Sequence, residues 1–135
     1  MNWMLLPLKR YADFQGRSRR KEYWMFALLM ALLSIGLGLL GGVFASVGAD
    51  GWALGALLPL TLFVVAVLIP SIAVQVRRFH DQDMSGWWIL LNFVPYLGGL
   101  VVLVFMCIGG TRGPNRFGPD PKDPSGAEHL SEVFR

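Results

Sequence analysis

Residues 23–47 read YWMFALLMALLSIGLGLLGGVFASV, with no ionisable side chain beyond the opening tyrosine. At about 1.5 Å rise per residue a helix of this length crosses a hydrocarbon core of about 30 Å, which needs roughly 20 apolar residues. Two further apolar stretches follow, from about Leu54 to Val76 and from Trp87 to Ile108. Read together they predict an all-α membrane protein with three transmembrane helices.

The composition agrees, since 54% of the 135 residues are hydrophobic and 16 glycines raise the apolar share further, against roughly 45–50% in soluble domains. The length suits one domain. Its expected parts are residues 1–22, a cytoplasmic interfacial helix with an arginine-rich block; residues 23–108, the transmembrane region; and residues 109–135, a Gly/Pro-rich polar tail. A basic stretch before an apolar one also suggests a signal peptide, with Ala45-Ser46-Val47 as a loose cleavage site. The apolar run is too long for that, because cleavable segments hold about 7 to 15 apolar residues, so the run reads as a retained signal anchor. Cys107 is the single cysteine; it permits no internal disulfide and reads as a packing residue.

Trp3 to Phe14 places Trp3, Met4, Pro7, Leu8, Tyr11 and Phe14 on one arc of a helical wheel and Lys9, Arg10 and Asp13 opposite, as an interfacial helix does. Pro7 works against a continuous helix and allows an extended start followed by one or two turns. Gln15 to Glu22 then carries four positive charges, and Arg77-Arg78 closes the second stretch, while Gly48 to Trp52, with Asp50, has no Lys or Arg. The positive-inside rule therefore puts the N-terminus and the Arg77–Gly86 connector in the cytoplasm and Asp50 outside. Pro59 and Pro70 should kink the second span, with neighbouring groups satisfying the carbonyls they free. Phe79 to Gly86 reads as a polar connector, and Ser85 as the N-cap of the third helix. That helix holds Pro95 and Gly98-Gly99 near its middle, so it is either one kinked crossing or a re-entrant hairpin at Pro95. The single crossing is preferred, since three basic residues in the tail, Arg112, Arg116 and Lys122, are a weak topological signal. Gly38 and Gly42 form a small-xxx-small pair, read as packing against the second span rather than as a dimer face.

Four motifs occur in order around these stretches: Tyr11-Ala12-Asp13-Phe14; Gly16-Arg17-Ser18-Arg19-Arg20-Lys21-Glu22-Tyr23-Trp24; Arg77-Arg78-Phe79-His80-Asp81 with Ser85-Gly86-Trp87-Trp88; and Gly113-Pro114-Asn115-Arg116-Phe117-Gly118-Pro119. In this arrangement the chain resembles the bacterial inner-membrane family called domain of unknown function 805, from about Trp3 to Pro121. Phe79 stands where that family more often has leucine. The resemblance implies a helical fold in the bacterial inner membrane and no particular activity.

His80-Asp81 is the pair closest to acid-base or metal chemistry, but neighbours in sequence rarely face one another, and His129 lies far off in the tail. No catalytic, cofactor or metal site is expected. Instead Glu22 or Asp81, with His80 beside it, should pair with Arg77, Arg78 or Arg19, because at a membrane edge a carboxylate lowers the cost of holding a guanidinium. Arg17, Arg19, Arg20, Arg77 and Arg78 carry two readings. They are topology signals, or they converge on a phosphate of an anionic lipid or ligand, for which arginine's fork suits better than lysine. The expected partners are the bilayer and its anionic headgroups, with a protein or a second copy as further candidates and no nucleic acid. The leading function is binding or scaffolding at the membrane. Its rivals are a component of an oligomeric transporter or channel, although no charge lies inside the first two spans, and a membrane enzyme acting on a phosphorylated lipid.

Overall fold

The computed structural model describes residues 3–46 and 52–123, with side chains except at 44 and 52–57. The loop that carries Asp50 and the tail from residue 124, with His129, lie outside the described residues. The described residues form four α-helices and one 3₁₀ helix: α1 (Leu6–Lys9), α2 (Arg20–Ser46), α3 (Trp52–Asp81), the 3₁₀ helix (Gly86–Phe93) and α4 (Leu97–Cys107). Among the described residues the β-structure is one isolated bridge between Asn115 and Gly118.

Helices α2 and α3 are each long and apolar enough to cross a membrane, over Arg20–Val43 and Leu58–Asp81. Their outer faces are large aliphatic side chains left exposed, among them Leu39, Val43, Leu62 and Val65. In water such a surface would cost free energy in proportion to its area; in a bilayer it costs nothing. Gly38 and Gly42 lie on this outer surface, with nothing within 4 Å of where a Cβ would stand. They do not pack against α3 as expected, because the two helices make their close contacts elsewhere. Cys107 is likewise exposed, at the end of α4, rather than packed inside.

Helix α3 runs unbroken past Pro59 and Pro70. A proline leaves the carbonyl four residues earlier without its helical partner, and for Pro70 that carbonyl belongs to Ala66. The Tyr11 hydroxyl donates to it at 2.5 Å, so the N-terminal segment supplies the missing bond. The interfacial helix expected over Trp3–Phe14 is reduced to the single turn of α1, opened by Pro7. The chain after it must bend so that Tyr11 and Arg10 reach α3.

The end of α3 also differs from expectation. Phe79 to Asp81 are not connector but the last turn of the helix, and Phe79 is fully buried with Val102 and Met106. Asp83 closes the helix at φ 59°, with Met84 N–H donating to the Phe79 carbonyl and Asp83 N–H to that of His80, each at 3.0 Å. This is a Schellman cap with aspartate where glycine is usual.

From Trp87 onward the single long helix does not form. Ser85 caps the 3₁₀ helix, its hydroxyl accepting from Trp87 N–H. The chain then turns at Val94-Pro95-Tyr96, where Leu97 N–H donates to the Pro95 carbonyl at 2.7 Å and Tyr96 sits at φ 63°, ψ −51°, the geometry of the strained, positive-φ γ-turn. Helix α4 runs back along the 3₁₀ helix. Gly98 permits this, because a Cβ there would collide with the Leu91 carbonyl. At about 1.5 Å per residue the 11 residues of α4 span about 17 Å.

Candidate functional site

Both ends of this hairpin lie beside the C-terminal end of α3. The last carbonyls of any helix lack internal partners, and three of those at the end of α4 are met by side chains: Phe105 by Gln82 Nε2 at 2.7 Å, Cys107 by Arg20 Nη1 at 3.1 Å and Ile108 by Arg78 Nη2. Two of these donors are cations placed at the negative end of the helix dipole, where they are favoured.

The same pattern extends to the whole cluster. Arg17 Nη2 donates to the Thr111 carbonyl at 2.6 Å and Nη1 to that of Gly113 at 2.7 Å. Arg77 Nη1 donates to the carbonyls of Arg10 and Asp13, and its Nε to the Ser18 hydroxyl at 3.1 Å. Arg19 reaches the Pro121 carbonyl. Each of the five arginines singled out by the sequence therefore holds a main-chain carbonyl from another segment. The planar guanidinium, with five N–H groups in a fixed fork, suits this task better than ammonium.

Two carboxylates offset two of the three buried positive charges. Asp81 lies between Arg17 at 3.0 Å and Arg78 at 2.5 Å, and Glu22 meets Arg77 at 3.3 Å. All five of these groups are buried. Glu22 stands in the first turn of α2 and Arg78 in the last turn of α3, so each also complements its own helix dipole. Among the described residues Arg19 has no such carboxylate; its guanidinium lies 5.5 Å from the centre of the Trp3 ring. Gly110 passes so close to Asp81 that a Cβ would overlap the carboxylate.

The segment from Thr111 to Asp120 is fastened to this centre, which the sequence left as an unassigned motif. Thr111 N–H donates to the Asp81 carbonyl at 2.8 Å, and Asn115 Nδ2 to that of His80 at 2.9 Å. Phe117 stacks on the His80 ring with centroids 3.8 Å apart and planes 4° from parallel. Asp120 is held below its ordinary carboxylate value, mainly by the Lys122 N–H, with weaker help from the Gly113 N–H and the charge of Arg17, against a smaller opposing effect of burial. Asn115 and Thr111 were readable only in part: an asparagine among glycines and prolines signals a turn, and its Oδ1 does accept from Phe117 N–H, but no local pattern shows that its amide reaches α3.

His80 and Asp81 do not face one another as a catalytic pair. Asp81 is committed to two arginines, and His80 lies against Phe117 with Nδ1 3.3 Å from the Gly16 carbonyl. Among the described residues no three His, Cys, Asp or Glu gather as metal ligands would. Of the five arginines, Arg17, Arg77 and Arg78 are buried, whereas Arg20 and its neighbour Lys21 are exposed and Arg19 is half-buried.

The sequence pattern of the family described as "Protein of unknown function (DUF805)" matches residues 11–119. The chain is 48% identical over 124 residues to "Inner membrane protein YhaH" of Escherichia coli (strain K12), covering 90% of this chain and 98% of that one. It is 46% identical to "Inner membrane protein YhaI" of the same organism, covering 90% and 97%, and 27% identical to its "Uncharacterized protein YiiR", covering 82% and 87%. No solved structure matches.

Proposed function

We propose that this chain, which belongs to the DUF805 family, is a multi-pass inner-membrane protein whose two crossings, α2 and α3, carry a re-entrant hairpin on their cytoplasmic side. It acts by binding, as a scaffold for anionic lipid or a membrane protein. The names of its relatives support the location, and the basic residues at one end of the α2–α3 pair support the orientation. A helix as short as α4 cannot cross a core of about 30 Å. The α4 end of the hairpin meets the arginine cluster and its starting end lies against Val76 and His80 of α3, which favours a segment that enters and leaves by the same face, with the N-terminus and residue 112 in the cytoplasm.

One observation carries the non-enzymatic reading. The buried arginines and carboxylates, the only chemistry-rich group among the described residues, spend their hydrogen bonds on the protein's own carbonyls and on each other. A group so committed ties segments together and has little left for a substrate. The outward basic rim of Arg19, Arg20 and Lys21 is what remains to meet a partner, and each cation near an anionic surface is worth about 1 kcal/mol.

Topology and class are tested separately. In a Cys107→Ser background, cysteines at positions 21 and 112 should both be protected from an impermeant reagent in spheroplasts, and one at position 50 should react. Labelling at 112 would overturn the re-entrant reading. A photo-crosslinker in place of Lys21 should capture anionic lipid or a membrane protein in cells. Turnover of a phosphorylated lipid by the purified protein would overturn the scaffold.

A further inference from the structure

On the face of α2 and α3 that looks toward the 3₁₀ helix lies a cavity of about 420 Å³, within the range of about 300–1,000 Å³ usual for small-molecule sites. Its walls include Tyr23, Ala27 and Met30 of α2, Ile72 and Gln75 of α3, and Asn92 of the 3₁₀ helix. Leu68 and Phe93, also in the lining, stay exposed at the rim, so the cavity opens sideways toward the surroundings of the helices. The wall is mainly apolar. Its polar pair is self-satisfied, with Asn92 Nδ2 donating to Gln75 Oε1 at 2.9 Å.

Two features say what fits. The first is length. On α3 the lining runs from Leu68 to Gln75, about 11 Å of helix, which is less than the half-thickness of about 15 Å that one leaflet presents. A membrane-spanning helix of a partner would need a face along the whole crossing, whereas a lipid tail needs one leaflet. The second is charge. Arg20, Tyr23, Ala27 and Met30 recur at helical spacing on one face of α2, so the apolar stripe leads directly to Arg20, which is exposed and beside Lys21. Arg20 Nη1 bonds the Cys107 carbonyl, which holds the guanidinium one helical turn before Tyr23, the first lining residue on α2.

We infer that this groove seats an acyl chain of an anionic phospholipid, with Arg20 and Lys21 meeting the headgroup. The inference rests on the membrane-scaffold reading above and names the lipid that its basic rim selects. Ala27 is the smallest side chain in the lining, so a larger one there occupies the space of the chain. The groove lies apart from the Asp81 and Glu22 ion pairs, so it can be altered without breaking them.

The test uses the full-length protein in nanodiscs of phosphatidylglycerol or phosphatidylcholine with identical acyl chains, followed by native mass spectrometry of retained lipid. The wild type should keep phosphatidylglycerol over phosphatidylcholine. Ala27→Phe should cut retention of both by about tenfold, the equivalent of losing about two buried methylenes. Arg20→Gln should cut the phosphatidylglycerol preference about fivefold and leave phosphatidylcholine unchanged. Should Ala27→Phe fail to fold, Ile72→Phe fills the opposite wall and makes the same measurement. Retention by the filled-groove variant equal to wild type, with the anionic preference intact, overturns the groove and leaves the basic rim standing. Equal retention of the two lipids by wild type overturns both. Loss of a dimer in the filled-groove variant overturns the lipid in favour of a second copy.

Discussion

Arg17, Arg77 and Arg78 and the pair Arg19 and Arg20 have the same chemistry and share one end of the molecule, yet the first three are buried and the other two retain contact with the surroundings. Each of the buried three pairs with Asp81 or Glu22; Arg17 and Arg77 also make several bonds to carbonyls and hydroxyls, and Arg78 bonds the Ile108 carbonyl. Arg19 and Arg20 each hold one carbonyl, and neither has a carboxylate within ion-pair distance among the described residues. Burial decides the difference. A guanidinium removed from water is costly unless it regains partners; the inner arginines regain theirs from the fold, except at Arg78 Nε, which is buried without one, while the outer two can serve a partner. Arginine's excess over lysine, which suggested a phosphate site from sequence, is accounted for by carbonyl binding in the inner three.

The comparison breaks most visibly at Asp81. Asp81→Asn keeps the shape but leaves Arg17 and Arg78 buried without a counter-charge, and removing one partner of a buried pair costs about 3–5 kcal/mol. The melting temperature of the purified protein, followed by tryptophan fluorescence, should fall accordingly. Neutral replacement of Arg20 should move it little. Gly98→Ala comes next: its methyl must displace the Leu91 backbone, and forcing atoms into a closed space costs about 1–3 kcal/mol. If the hairpin presents the α4 carbonyls to Arg20 and Arg78, this variant should also increase protease cleavage near Gly109.

How much of this could be read from residues alone depends on range. Helices α2 and α3 follow from local apolarity, because a span in lipid must satisfy its own backbone and needs no distant partner. The ion pairs of Glu22 and Asp81 follow from the clustering of charge that the positive-inside rule brings to one edge. The hairpin was visible as an option through Pro95 and Gly98, but choosing it required knowing that Leu91 and Gly98 touch. The anchoring of Thr111 and Asn115 to α3, and of Tyr11 to the carbonyl freed by Pro70, joins segments tens of residues apart. Phe79 was misplaced for a related reason: two arginines before it read as the end of a membrane helix, whereas buried pairing lets the helix continue past them.

Smaller effects sharpen the picture at its edges. Tyr11→Phe removes the donor to Ala66 and should cost about 1–2 kcal/mol, the range for a lost hydrogen bond that leaves an acceptor unmet. Asp120 tests the docked tail by pH. Its carboxyl is lowered from 3.8, so its contribution is complete above that value and is lost as pH falls through the lower folded value. Exchange protection of the Gly113 and Lys122 amides, which donate to Asp120, should be flat from neutral pH down to about 4 and decline below it.

The smallest expected effect decides whether the outer arginines act by charge or by shape. Exchanging Arg19 and Arg20 together for lysine keeps two positive charges and removes two forks. If those residues serve an anionic surface as point charges, lipid retention should stay within about twofold and stability within about 0.5 kcal/mol, the range of ordinary surface changes. Arg77→Lys, by contrast, keeps the charge yet cannot reach Ser18, Glu22 and the carbonyls of Arg10 and Asp13 together. It should cost about 1.5–3 kcal/mol, the worth of bonds to a charged group. A lysine exchange that mixes inner and outer arginines cannot report on lipid at all, since loss of fold would pass for loss of binding. Should the outer pair alone lose anionic-lipid retention at unchanged stability, the guanidinium fork itself recognises the phosphate, and the division between structural and partner-facing arginines becomes one of ligand rather than of chemistry.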